Sequence, residues 1–330
     1  MKTAPILMTV VVLTALAGCE PAAWQKQPLG KEKYLLTIDF RASQTLRYKF
    51  VSSREMTVGW DAPKNAFGSG RRTENKSSES VEMVVSYTPV EIDPYGLTTI
   101  RAACESVKVT RSRGPRQDVV ESFAGRTFEL AVGPTGRIED YSQLDELIKE
   151  IGEKAFRTST EHGRIKEPDM INDFVATQWF LWDAVSSIEE PAKGVAVGQS
   201  WRSKLSVPTP MVMRKARDVT YTLDEVRPGE NGQLAVIDSS YRPADSAPRQ
   251  WPIPYSGTFQ VAGAFGFYGN YQVLDLQGQG QELFNIDAGR TEEYSQHYQM
   301  RLKASLLFPL PGASPRITID QNITMRLLED

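Results

Sequence analysis

The chain has 330 residues, 40% of them apolar and 24% charged, with a formal net charge of −3. That balance excludes a disordered polyelectrolyte and offers no positive field to attract nucleic acid. It allows one large folded body or two ordinary domains. The two cysteines are Cys19 and Cys104. Cys19 closes an N-terminal leader, so Cys104 has no partner for an internal disulfide. Its strand-like surroundings point to a buried structural thiol rather than a reactive one.

Residues 1–18 have the parts of an export signal: Lys2, an apolar run over 6–16 broken only by Thr9 and Thr14, and small residues before the cut. The run is about half of the roughly 20 residues a membrane-spanning helix needs. Leu16-Ala17-Gly18-Cys19 resembles the lipobox of bacterial lipoproteins. The resemblance implies cleavage before Cys19, acylation of Cys19 and anchoring in membrane lipid outside the cytoplasm; two or more acyl chains anchor stably. An ordinary cleaved signal with an incidental Cys19 is the alternative. Glu20 in place of Asp after the cysteine is compatible with an outer-membrane position facing the periplasm if the cell is Gram-negative. Residues 19–33, with Pro21, Pro28 and Gly30, read as a lipidated tether reaching on the order of 20 Å. Trp24 suits either the membrane interface or a dock on the body.

Residues 34–140 read as a first β repeat. Strict alternation predicts strands over 34–40 (Leu36, Ile38, Phe40) and 45–51 (Leu46, Tyr48, Phe50), continuing through Met56, Val58 and Trp60. The polar stretch 61–80 reads as a long mobile hairpin loop. Val81, Met83, Val85 and Tyr87 begin another strand. Asp93-Pro94-Tyr95-Gly96 has the residue order of a type I turn, and 97–109 returns. The basic run 111–116 suits lipid headgroups or, more simply, a solvated loop tip. Phe128, Leu130 and Val132 alternate before Gly133-Pro134-Thr135-Gly136 turns the chain, giving an antiparallel meander.

The period changes in the helical segment 141–190. Ser142 is placed to cap a helix, with Leu144, Leu147, Ile148 and Ile151 on one face. The carboxylates on its other faces read as solvated, not as acid–base pairs. Pro168 suits the first turn of a second helix running to about residue 187, ended by Pro191 and Gly194. Trp179, Phe180 and Trp182 crowd that helix. They are either core residues packed on a sheet or a lid over a ligand cavity.

Residues 195–330 read as a second β repeat. Ser86-Tyr87-Thr88 is echoed by Thr220-Tyr221-Thr222. Residues 136–143 (GRIEDYSQ) are echoed at 289–296 (GRTEEYSQ), with six of eight positions identical. In the Gly-rich run after 251–254, Phe259, Val261, Phe265 and Phe267 alternate with small residues, which fits a bent strand or close approach of a ligand. No helix N-terminus follows to make it a phosphate loop. The last two strands carry Tyr298, Met300 and Leu302, then Ile317, Ile319, Ile323, Met325 and Leu327, on one face. Only Gln321 interrupts the latter.

No H-E-x-x-H, G-x-S-x-G, P-loop or paired-cysteine motif occurs, and the two histidines, His162 and His297, lie 135 residues apart. No catalytic residue, metal or cofactor is therefore expected, and a non-enzymatic protein is. The expected class is α+β, mainly antiparallel: two related, curved, half-barrel-like meander sheets, abutting or joined in one body, with both helices on a concave face. By pattern alone (lipobox, meander, central helices) the chain resembles envelope lipoprotein carriers of the LolA and LppX type, and a group of exported lipoproteins with the same layout. No specific motif of those families is matched. The resemblance implies an anchored envelope protein that binds an apolar or amphipathic ligand such as lipid, with Trp179, Phe180, Trp182, Phe265 and Phe267 as candidate lining residues. The alternative is a scaffold that binds other envelope proteins through exposed edge strands.

Overall fold

Strands take most of the described chain because its apolar residues alternate with polar ones over long stretches. The structure, a computed structural model, describes residues 32–61, 74–112, 118–158, 168–205, 207–208, 216–245, 268–306 and 314–329. The order is β1 (Lys33–Tyr34), β2 (Leu46–Asp61), β3 (Glu74–Ile92), β4 (Thr98–Arg111), β5 (Thr127–Val132) and β6 (Ile138–Asp140), with a 3₁₀ turn at Val119–Phe123 between β4 and β5. Two helices follow, α1 (Ser142–Thr158) and α2 (Pro168–Ser186). Then come β7 (Val195–Ala196), β8 (Ser200–Arg202), β9 (Val207–Pro208), β10 (Ala216–Gly229), β11 (Gly232–Pro243), β12 (Tyr268–Asn285), β13 (Arg290–Leu306) and β14 (Ser314–Leu328).

Apart from a two-stranded β1–β7 pair, the strands form one open, curved antiparallel sheet, ordered β6-β5-β4-β3-β2-β14-β13-β12-β11-β10-β8, with β9 also paired to β10. The two predicted meanders are halves of this sheet. They join where β14 pairs β2 from Ser314↔Asp61 to Leu328↔Arg47. Each of these strands has only one neighbour within its own meander, and both alternate in phase: Phe50 lies opposite Met325 and Met56 opposite Ile319. The two echoed octapeptides begin on glycines at matching hairpin turns, Gly136 (φ 85°) between β5 and β6 and Gly289 (φ 61°) between β12 and β13. A left-handed backbone explains the glycine in both.

Four local expectations need correction. Residues 35–40 keep the predicted alternation, with Leu36 buried and Thr37 and Asp39 exposed, but make no ladder beyond Tyr34. Asp39 N–H instead donates to Gly289 O at 3.0 Å. Residues 74–80, read as loop, are strand: β3 pairs β2 out to Glu74↔Gly59, and cross-strand ion pairs such as Lys76–Glu55 (3.3 Å) stand in for apolar contacts. Ser142 is the first helical residue and not the cap; its N–H donates to Asp140 Oδ1 at 3.0 Å. In the basic run, the Arg111 side chain is buried against Glu79 and Asp118 and not solvated, while 113–116 lie outside the described residues. The turn at Asp93 is as expected, with Gly96 N–H donating to Asp93 O at 3.1 Å.

The core divides into three apolar clusters. The first holds α1 and most of α2 against β2–β5; the second holds the end of α2 against β8, β10 and β11. The third, Leu276, Tyr298, Met300, Leu302, Ile317 and Ile319, is built by strands alone. Cys104 is buried and burial pushes its thiol up to about 12, as suits an inert structural residue.

Candidate functional site

A helix with one apolar stripe leaves its other side to water. In α2 the apolar residues point in every direction, and each described side chain from Met170 to Val185 is buried. The helix therefore lies inside the fold, and its polar side chains must find partners there. Asp173 accepts from Ser52 Oγ (2.9 Å) and Gln321 Nε2 (3.1 Å), with Arg54 Nη1 at 3.6 Å. That explains why Gln321 interrupts the apolar face of β14. Gln178 accepts from the Tyr87 hydroxyl of β3. Asp183 Oδ2 accepts from Tyr221 OH (2.6 Å) and Ser203 Oγ (2.7 Å), and its Oδ1 accepts from Ser187 Oγ (2.9 Å). Burial raises the Asp183 carboxyl above the ordinary range against the pull of these donors. Successive turns of one helix are thus pinned to both halves of the sheet.

A cleft of about 210 Å³ opens beside the C-terminal half of α2. Its lining combines the apolar Trp179, Ile138 and Leu205, the exposed Arg137 and Lys204, and the polar Asp183, Ser186 and Ser187. Gly136 belongs to the wall because a Cβ there would lie 2.8 Å from Ile38 Cγ1.

Of the residues singled out from sequence, Trp179 reaches this cleft and packs edge-on against Tyr141 at 5.3 Å. Phe180 stacks on Tyr294 at 6.1 Å, and Trp182 meets Phe40 at 6.0 Å and Tyr87 at 5.7 Å. Neither Phe180 nor Trp182 lines the cleft. Phe265, Phe267 and Cys19 lie outside the described residues. His297 is exposed, with Nδ1 2.9 Å from Asn322 Oδ1, and His162 is also outside them. Among the described residues no group of three or more His, Cys, Asp or Glu is placed to hold a metal ion, and no helix is long and apolar enough to cross a membrane.

The structure adds a second polar centre that the motif search missed. Arg217 of β10 is 4% exposed, and its guanidinium lies over the rings of Phe180 (4.6 Å), Tyr241 (4.9 Å) and Tyr298 (5.6 Å). Beside it, Ser239 Oγ donates to Tyr241 OH (3.0 Å), Tyr241 and Tyr294 hydroxyls meet at 3.0 Å, and Tyr294 OH donates to Gln296 Oε1 (2.8 Å). A signal for this centre existed: Arg217 shares the parity of Val219 and Tyr221, and Gln296 that of Tyr294 and Tyr298, which puts both on the apolar face.

No family model matches the chain, and no curated protein matches it. A solved structure on lipid–protein interactions in lipovitellin is similar in fold, with a TM-score of 0.46 and 10% identity over 88% of this chain and 26% of that one. This chain thus spans about a quarter of the length of the lipovitellin chain.

Proposed function

We propose that this chain is an exported envelope protein, anchored through acylated Cys19, that binds an amphipathic ligand such as a lipid and performs no reaction on it. The leader residues support the anchor, and Glu20 is compatible with an outer-membrane position facing the periplasm if the cell is Gram-negative. The observation that carries the ligand reading is the cleft beside α2, whose lining combines apolar Trp179, Ile138 and Leu205 with charged and polar side chains. At about 210 Å³ it is smaller than the roughly 300–1,000 Å³ of whole small-molecule sites, so it takes part of a ligand, a head or a short length of chain. For the scaffold reading the outermost strands β6 and β8 offer little, since they are three residues each and short edges resist pairing. That reading keeps one surface, the β3–β4 hairpin tip, where Tyr95 is 88% exposed beside Ile92 and Leu97.

Photolabelling tests the reading. The full chain, incubated with a diazirine-bearing palmitate and digested, is expected to carry label on peptides spanning Trp179 and Leu205. Label confined to the 90–97 hairpin favours the scaffold; no saturable label at all ends the ligand reading.

A further inference from the structure

Arg217 stands at the second position of β10, buried on the face that carries α2. Among the described residues it has no carboxylate within ion-pair distance. Its side-chain hydrogen bond among the described residues runs from Nη1 to Gln296 Oε1 at 3.2 Å. Asp183, whose carboxylate feels the Arg217 charge, is already taken up by three hydroxyls. The aromatic faces offset part of the loss of hydration but accept no N–H. Among the described residues, Nε and Nη2 of Arg217 are left without acceptors, and so is Nε2 of Gln296.

The hydroxyl chain fixes this arrangement. Tyr294 spends its proton on Gln296 Oε1 and Ser239 donates to Tyr241, so Tyr241 must donate to Tyr294. Gln296 Oε1 then accepts twice, from Tyr294 and from Arg217, which leaves its amide NH₂ as a spare donor beside the guanidinium. Every unsatisfied atom of this centre is a donor. A buried cation with a free fork and a neighbouring amide is complementary to a carboxylate or phosphate oxygen pair.

We propose that Arg217 and the Gln296 amide bind the anionic headgroup, carboxylate or phosphate, of an amphipath. This deepens the ligand reading above and rests on it.

The test uses the full chain and a matched pair of probes, diazirine-bearing palmitate and the corresponding diazirine-bearing hexadecanol, with inorganic phosphate as competitor. The wild type is expected to be half-labelled by the acid at a concentration at least ten-fold below that needed for the alcohol. Arg217→Met is expected to lose that preference. Gln296→Glu, which supplies a carboxylate to Arg217 from within the chain, is expected to lose it as well, with a midpoint of thermal unfolding no lower than wild type. The second variant keeps the test valid if the first folds poorly. Equal labelling by acid and alcohol in the wild type, or an unchanged preference in Gln296→Glu, overturns the headgroup site while leaving amphipath binding intact. Displacement of the acid by millimolar inorganic phosphate as readily as by unlabelled palmitate overturns the headgroup as the source of the anion. Failure of both probes to label removes the ligand reading itself, whatever Arg217 does.

Discussion

Glu282→Gln should make the protein more stable at alkaline pH while changing little in acid. Glu282 lies in β12, 2% exposed, and burial pushes its carboxyl from the ordinary 4.5 up to about 8. The geometry agrees. Thr291 Oγ1 lies 3.0 Å from Leu181 O, which can only accept, and 2.6 Å from Glu282 Oε1. The hydroxyl has one proton for two acceptors unless Glu282 is itself protonated and donates. Below pH 4.5 the folded and unfolded chains both hold this proton. Between 4.5 and about 8 the unfolded chain releases it and the folded chain does not, so stability falls as pH rises through that window. At about 1.4 kcal/mol per pH unit, the loss is on the order of 3 kcal/mol by pH 7 and about 5 kcal/mol above pH 8. Glutamine keeps an acceptor and a donor in the same place and has no proton to lose. Asp173 and Asp183 are also raised by burial and contribute with the same sign, so the readout is the difference between variant and wild type. Urea unfolding of both proteins at half-unit steps from pH 4 to 9 measures it. A difference that does not grow between pH 5 and 8 would show that Glu282 is ionised in the folded protein and that the reasoning is wrong.

Asp183→Ala leaves Tyr221, Ser203 and Ser187 without their shared acceptor, and chemical denaturation should show a loss of about 3 kcal/mol; a loss under 1 kcal/mol contradicts the pinning of α2. Gly280→Ala puts a Cβ 2.5 Å from Ser295 O and 2.7 Å from Ser239 Oγ. Thermal unfolding should register the separation of β12 from its neighbours as about 1–3 kcal/mol. Trp179→Ala should weaken photolabelling by palmitate several-fold, read from the concentration at half-labelling. Tyr95→Ser, at an 88% exposed position, should change stability by less than about 0.5 kcal/mol and leave palmitate labelling as it was.

Period-two alternation made the strands legible because one face of nearly every strand meets a core. Parity places Phe50, Met83, Leu130 and Ile319 on buried faces, and all are fully buried. The joining of the meanders was not legible. Pairing of β2 with β14 links residues more than 250 positions apart, and nothing local in either strand names its partner. Residues 74–80 misled because polar composition resembles a loop, yet a strand can be held by its ladder and by cross-strand charges such as Arg54 with Glu79 and Lys76 with Glu55. The role of α2 was half legible. Its aromatic crowding marked it as buried, but Asp173, Gln178 and Asp183, five residues apart and so spread around the helix, name no partner until the distant strands are in place. Arg217 is the instructive miss. A charged residue in phase with apolar neighbours on a strand is a sequence signal, and a motif search does not look for it.

Native mass spectrometry of the full chain released from its own membrane bears most directly on whether this is an anchored amphipath binder. The expected result is an N-terminus at Cys19 whose mass includes its acyl chains, together with a population carrying one non-covalent amphipath of anionic headgroup. An unmodified thiol at Cys19 on a protein that releases no ligand under activation would contradict it.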